Sequence, residues 1–280
     1  MNQDAFLISE YLLSNPAQHC FAVFDGHGKR FGRLAAQGEI ENGVGSVDAS
    51  LSGRRSGRFV LDVNAGIRPD QIALAAQGEF AGRRISMPRR AVLTSLDNGG
   101  WRLAPTQLSY GDGGMIASGS FGGGDLDFDF KLARMPLSLI DIVRPDTGLG
   151  GMISGTVDYR IGANRLPVSD AKVKIDGLTR SGLVLTSRPV NVALVARLTE
   201  SELEARALLQ NEDIQRGRVQ AQITGLPAQG MLIDRLRAGS LLAQLRYRGA
   251  AESLWRLAAL EAELARELSE PIGSIVCTGE

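Results

Sequence analysis

The sequence is poor in aromatic residues and in cysteine, and each shortage excludes a class of protein. Phe, Tyr and Trp together make up 5% of the 280 residues, whereas glycine occurs 34 times. This balance favours many short turns over one compact core filled by large rings. The two cysteines, Cys20 and Cys277, lie near opposite ends of the chain. One pair of cysteines does not provide the disulfide framework of a small secreted domain.

Long apolar runs and a surplus of one charge are also missing. Lys plus Arg and Asp plus Glu are both 31, so the net charge is zero. A broad nucleic-acid surface needs clustered positive charge, and we therefore expect no nucleic-acid partner. No apolar run reaches the ~18 residues of a membrane-spanning helix. The first ten residues have no basic region ahead of an apolar segment. We therefore expect neither a membrane anchor nor a signal peptide in this chain.

A repeat is the strongest internal pattern. The hexapeptide Leu-Ala-Ala-Gln-Gly-Glu occurs at residues 34–39 and again at residues 74–79. Looser copies follow at residues 116–121 and 153–157. Self-similarity at a period of ~20–50 residues is typical of repeat architectures, in which each unit packs only against its neighbours.

Between the copies, the chain alternates between apolar and polar residues. Residues 126–132 place Leu126, Phe128, Phe130 and Leu132 on one side and charged residues on the other. Residues 171–176 alternate in the same way, and residues 59–64 and 190–194 do so less strictly. Turn signals occur at residues 97–100, 111–114 and 122–125. The pattern predicts antiparallel strands with one apolar face and one solvated face.

Helix signals are few. A short helix is predicted over residues 136–143, a weaker one over 230–236, and the longest over 257–268, where Pro271 would end it. Residues 201–209 fit either a helix, by propensity, or a strand, by alternation. We predict an irregular segment over residues 1–30, a repetitive β domain over 31–249, and a C-terminal helix and tail over 250–280.

Five stretches together resemble a known family. They are Trp-Arg-Leu-Ala-Pro-Thr-Gln-Leu-Ser-Tyr-Gly at residues 101–111 and the segments 132–140, 155–159, 177–183 and 245–255. Their order and spacing resemble the middle region of the translocation and assembly module TamB family. This family belongs to the AsmA-like, repeating-β-groove superfamily, and the resemblance is to its alphaproteobacterial type.

The resemblance implies a mainly β fold, an elongated and curled antiparallel sheet (a β-groove, or taco) whose concave side is apolar. The residues expected to line a lipid groove are Leu126, Phe128, Phe130, Leu132, Val173, Ile175, Val190 and Val192. It implies a periplasm-spanning protein, anchored in the inner membrane, that moves phospholipids to the outer membrane and assembles proteins there. The expected partners are phospholipid acyl chains and a BamA-like outer-membrane barrel protein. Such a groove needs no catalytic residue, metal or cofactor, so we do not expect an enzyme.

The sequence departs from the family at its ends. The N-terminal anchor and the C-terminal portion that meets the barrel partner are not found. Residues 261–270 also read as a charged helix where more strands are expected. We therefore expect this chain to be an internal section of a longer parent protein.

Two alternative functions stay open. The first is a structural or adhesive exported β-repeat protein with a dry, filled core. The second is a metal-dependent serine/threonine phosphatase, because Phe24-Asp25-Gly26-His27-Gly28 resembles the metal-binding turn of those enzymes. There, Asp25 and the carbonyl of Gly26 would ligate a pair of divalent cations. The further carboxylate segments that a two-metal site requires are not found.

Smaller clusters have simpler interpretations. His19, Cys20 and His27 are too few for a zinc site with four ligands. Asp125, Asp127 and Asp129 are interpreted as the solvated side of a strand. Arginines at positions 83, 84, 89 and 90 are interpreted as solvated edge residues, with contact to anionic lipid headgroups as the alternative.

Overall fold

A computed structural model describes residues 4–10, 18–25, 33–54, 57–143, 147–162, 165–181, 188–210, 214–249 and 276–277. The chain is mainly β, as the sequence predicts. It divides into two compact units: the first comprises Met1–Gly123 with Asp141–Asp146, and the second comprises Gly124–Ile140 with Thr147–Glu280. The single repetitive domain predicted over residues 31–249 thus falls into two parts. The division lies in the turn at residues 122–124, where three successive glycines have positive φ.

The first unit is an antiparallel sheet. Its strands are β1 (Asp4–Glu10), β2 (Gln18–Asp25), β3 (Arg33–Glu41), β4 (Val44–Arg54), β5 (Arg58–Arg68), β6 (Gln71–Phe80), β7 (Arg83–Ser86), β8 (Ala91–Ser95), β9 (Trp101–Tyr110) and β10 (Gly113–Gly122). The segment predicted to be irregular over residues 1–30 therefore contains two paired strands. Its apolar runs are short, but runs of this length are typical of strands.

Strands β7 and β8 fill one position in this sheet, since both pair with β6 and with β9. Pro88 lies in the interruption between them, where the missing N–H group does not break a ladder bond. A buried aromatic contact supports this region. Tyr110 is fully buried, and its hydroxyl donates to the carbonyl oxygen of Phe80 at 3.2 Å.

The two identical repeat copies lie in β3 and β6. Three antiparallel pairings separate these strands, so the copies run in opposite directions. Their shared glycines, Gly38 and Gly78, have the same surroundings. A Cβ atom at Gly38 would lie 2.7 Å from the carbonyl oxygen of Ser46, and one at Gly78 would overlap the carbonyl oxygen of Val60. The repeat therefore keeps a glycine where a neighbouring strand approaches closely.

In the second unit, consecutive strands from β11 to β17 are antiparallel neighbours. Its strands are β11 (Asp125–Pro136), β12 (Leu149–Ile161), β13 (Pro167–Arg180), β14 (Val190–Leu198), β15 (Glu202–Gln210), β16 (Ile214–Thr224), β17 (Ser240–Gly249) and β18 (Val276–Cys277). The two-residue strand β18 pairs with β17 in parallel.

Helices occupy only short connections. After β11 the chain forms a 3₁₀ turn (Leu137–Leu139) followed by α1 (Ile140–Val143), and α2 (Leu232–Ala238) joins β16 to β17. Both helices lie where the sequence predicts them. The helix predicted over residues 257–268 lies outside the described residues. Within the described ranges, no helix has the length and apolarity needed to cross a membrane.

The ambiguous residues 201–209 form a strand, β15. Leu203, Ala205, Ala207 and Leu209 are all partly buried, while Glu204, Arg206 and Leu208 between them are exposed. Pairing on both sides with β14 and β16 thus outweighs the helix propensity of the segment, because a strand hides one complete apolar side.

Candidate functional site

One face of the second unit is apolar over seven strands. Directly paired residues of an antiparallel sheet project to the same side, so the register shows which side chains share a face. The rows that cross β11 to β17 in order are as follows: Phe128, Tyr159, Ser169, Leu198, Leu203, Ile223, Leu241; Phe130, Val157, Ala171, Ala196, Ala205, Ala221, Ala243; Leu132, Gly155, Val173, Leu194, Ala207, Val219, Leu245; and Met135, Ile153, Ile175, Val192, Leu209, Gly217, Tyr247. We call this surface the apolar face, and none of these residues is charged.

All eight residues predicted to line a groove lie on this side of the sheet. Leu126, Phe128, Phe130 and Leu132 are the partly buried residues of β11, and exposed charged residues separate them. The rings of Phe128 and Phe130 stack, with centroids 5.8 Å apart. The other four belong to the neighbouring strands β13 and β14: Val173, Ile175, Val190 and Val192.

The residues of the apolar face on β15 to β17 were not predicted from the sequence. Nor was a row of five alanines that crosses five successive strands: Ala171, Ala196, Ala205, Ala221 and Ala243. We call these the alanine row. Each alanine lies within an alternating segment of its own strand, but only the pairing register brings the five into line.

The alanine row forms the floor of a shallow furrow. On one side lie the larger residues Leu203 and Ile223, and on the other side lie Leu194 and Val219. Because the rows run across the strands, the furrow follows the long direction of the sheet. Its floor and walls are partly buried rather than fully covered.

On β14, the residues of the apolar face are buried near the two strand ends and partly exposed in between. Val190 and Val192 form a buried pair on one side, and Leu198 is buried on the other. Tyr247 packs against the valine pair although its strand is the third from β14. At ~4.8 Å per strand, a flat sheet would separate these strands by about 14 Å. The contact across this separation indicates that the sheet curves towards its apolar face, and the absence of a side chain at Gly217 leaves space for the ring.

The apolar face keeps contact with solvent along the alanine row, because the alanines and most of the residues beside them are partly rather than fully buried. The strands of the second unit make their main contacts with neighbours in the same sheet, and the 3₁₀ turn packs on β12. A soluble monomer rarely exposes a large contiguous apolar patch, and such patches mark interaction sites. The arrangement is therefore suited to binding an elongated apolar ligand.

The other candidate residues form no shared site in the part of the chain that the structure describes. Asp25 is the last residue of β2, and residues 26–28 of the phosphatase-like turn lie outside the described residues. Asp127 pairs with Arg160 at 3.2 Å on the solvated side of β11. Within the described ranges there is no group of three or more His, Cys, Asp or Glu residues placed to hold a metal ion.

A cavity of about 880 Å³ in the first unit, with both polar and apolar residues in its lining, is a competing site. Its walls include Asp48, Asn64 and Gln77. Two of these groups bond to the protein itself, because the Asn64 amide donates to Asp48 at 2.7 Å and Arg90 donates to Asn64 at 2.5 Å. Arg90 also donates to the carbonyl of Ala73 at 3.3 Å, so this arginine is bound to its own sheet rather than free for a lipid headgroup.

Comparisons with protein-family models, with curated proteins and with solved structures find no match for this chain. The apolar face of the second unit is therefore the observation on which a functional proposal rests.

Proposed function

We propose that this chain is a groove-forming section of a translocation and assembly protein of the TamB type. In this proposal, the apolar face shelters phospholipid acyl chains on their way to the outer membrane, within a periplasmic parent protein that is anchored in the inner membrane. A BamA-like barrel protein is the proposed partner of that parent. The observation that supports the proposal is the apolar face, which continues without a charge across seven strands and is partly exposed along the alanine row.

The dimensions of the furrow fit an acyl chain. Five strands at ~4.8 Å spacing give the alanine row a length of about 19 Å. The hydrocarbon core of a bilayer is ~30 Å thick, so one extended acyl chain is about 15 Å long. One chain therefore fits along the row, and alanine leaves the depth that leucine or valine would fill.

The energetics are also adequate. Each methylene removed from water contributes ~0.8 kcal/mol, so about ten buried methylenes contribute roughly 8 kcal/mol before the cost of ordering the chain. Binding of this kind has no requirement for a polar contact. The transported lipid would then be selected by its headgroup elsewhere, while the apolar face holds any chain of suitable length.

Lipid co-purification tests the proposal. The chain is purified under mild conditions, and bound phospholipid is extracted and quantified per mole of protein. We expect Ala205→Phe, which fills the furrow, to reduce the bound phospholipid several-fold. Glu204→Phe is the matched control, because the neighbouring residue Glu204 is exposed on the opposite side of the same strand.

Absence of phospholipid from the unmodified protein would contradict the proposal. Equal lipid content in the two phenylalanine variants would also contradict it, since the lipid would then not lie on the apolar face.

A further inference from the structure

The opposite face of the second unit separates its charges by row. Two neighbouring rows carry cations and no carboxylate. One row contains Lys131, Lys172 and Arg206, and the next contains Lys174, Arg218 and Arg246. We call these six residues the basic zone. The acidic residues Asp129, Asp158, Asp170 and Glu204 lie in the adjoining row, which also contains Arg197 between Asp170 and Glu204.

The cations of the basic zone are largely uncompensated. Lys174 pairs with Asp176 at 2.7 Å, and both side chains are well exposed. The other five have no ion pair with any described residue of the chain. Arg218 and Arg246 even lie directly opposite each other in the β16–β17 ladder. Like charges in this position destabilise a sheet, so the arrangement is not explained by folding alone.

A cavity of about 630 Å³ lies at the centre of the basic zone. Its rim holds four of the cations, Lys172, Lys174, Arg206 and Arg218. Its floor is apolar, because Val195 and Leu208 project between the cations, and each is 53% exposed. The volume lies within the ~300–1,000 Å³ range of small-molecule sites.

We propose that this cavity binds a single amphiphilic anion, with a phosphate or carboxylate head and an apolar segment. The lysines and arginines would bond the head, and charge-assisted bonds of this kind are among the strongest available. The apolar segment would cover Val195 and Leu208, which a free inorganic anion would leave in water. Nucleic acid is a poorer fit, because this side of the described strands has no aromatic residue on which a base could stack.

The proposal does not rest on the proposed function. The cavity is lined by four cations and by no residue of the alanine row, although Val173 and Leu194 of the apolar face also border it. Substitutions of the cations and of the alanines therefore test the two proposals separately. Binding to one face can still be measured when a substitution abolishes binding to the other face.

Calorimetric titration of the whole chain tests the proposal. The probes are dihexanoyl phosphatidylglycerol below its micelle-forming concentration, dihexanoyl phosphatidylcholine, and inorganic phosphate. We expect the phosphatidylglycerol to bind at least about ten-fold more tightly than either other probe, as the loss of one bond to a charged group predicts. The phosphatidylcholine has the same acyl chains but a head without net charge, and the phosphate reports binding of the anion alone.

Variants locate the binding. The double variant Lys172→Gln, Arg206→Gln should weaken binding of the phosphatidylglycerol by about ten-fold or more. The control is Arg160→Gln with Arg197→Gln. These arginines lie on the same side of the sheet but pair with Asp127 and Asp170, and they do not line the cavity. The control should retain the affinity of the unmodified chain. Leu208→Ser should weaken binding of phosphatidylglycerol and leave that of phosphate unchanged.

Three results would overturn the proposal. Equal affinity for the two phospholipids would show that the cations do not select a negatively charged head. Equal affinity for phosphatidylglycerol and inorganic phosphate would show that the apolar floor does not contribute to binding. Binding to phosphatidylglycerol vesicles without binding to the monomeric lipid would make the zone a membrane-docking surface instead.

Discussion

Ala196 and Ala205 face each other across the β14–β15 ladder, at the middle of the alanine row. Both side chains are partly buried. Their small size and the larger residues in the rows beside them account for this burial. An open furrow and the filled core of a β-solenoid differ in what lies above this pair.

Whether the furrow is open can be tested by the effect of a larger side chain on the free energy of unfolding. On an open face, Ala205→Phe should change the free energy of unfolding by no more than about 0.5 kcal/mol, as for other surface substitutions. In a filled core the added ring would cost about 1–3 kcal/mol through overpacking. Urea denaturation separates the two cases. A decrease in the free energy of unfolding of about 1–3 kcal/mol would favour the structural or adhesive β-repeat protein over the groove.

Gly155 should be one of the least replaceable residues of the second unit. Its φ is +137°, and a Cβ atom there would overlap the carbonyl oxygen of Lys172 on the neighbouring strand. Gly155→Ala should therefore lower the free energy of unfolding by about 2 kcal/mol or more, since strain and overpacking add. Gly177→Ala is the control, because Gly177 also has a positive φ but open space around it. A cost at Gly155 no larger than at Gly177 would show that the strands can separate there.

Arg235 should stabilise the connection between β16 and β17. It is 1% exposed, its Nε donates to the carbonyl of Pro227 at 2.5 Å, and its Nη2 donates to the carbonyl of Glu200. Arg235→Met removes both bonds and should cost about 2–3 kcal/mol. Arg237→Met on the same helix should cost less than about 1 kcal/mol, because Arg237 is half-exposed and lies 4.0 Å from Asp234. Thermal unfolding of the two variants provides the measurement. Similar losses in both would contradict the anchoring role of Arg235.

A substitution at Arg246 should relieve the repulsion between Arg218 and Arg246 and stabilise the sheet. Arg246→Glu converts a like-charge cross-strand pair into an opposite-charge pair and should raise the free energy of unfolding by about 0.5 kcal/mol at low salt. The gain should shrink as salt is added, because these side chains are exposed. Gln244→Glu, on the same side of β17 but opposite the uncharged Gln220, tests whether any acidic residue on this strand has the same effect. Equal gains in both variants would attribute the effect to the net charge of the strand rather than to the pair.

The fold was more predictable than the site, for a physical reason. Alternation is a local property, so Phe128, Phe130 and Val173 were assigned to one apolar side from neighbouring residues alone. The strand at residues 202–210 was ambiguous because its propensity favours a helix, and its pairing partners decide the outcome. The alanine row depends on how five strands slide against each other, and register is set by contacts distant in sequence. The basic zone was not predicted for the same reason. Lys172 and Arg206 lie in one row because both pair with Val195 of β14, and this pairing cannot be read from the local sequence.

The boundary between the two units was not placed from the sequence. The glycine turn at residues 122–124 was predicted as a turn of the kind that joins any two strands. Its three successive glycines indicate a turn but not a boundary between units. The difference lies in the contacts that the flanking strands make, which the local sequence does not specify.

Photo-crosslinking in intact cells tests the central claim most directly. A benzophenone amino acid is placed at Phe128 or Val173 on the apolar face, and at Asp129 or Asp170 on the opposite face. After irradiation, the protein is purified and the attached lipid is identified by mass spectrometry. The groove account predicts phospholipid adducts at Phe128 and Val173, and few or none at Asp129 and Asp170. Absence of lipid at both apolar positions, while the aspartate positions crosslink to other cell components, would contradict it.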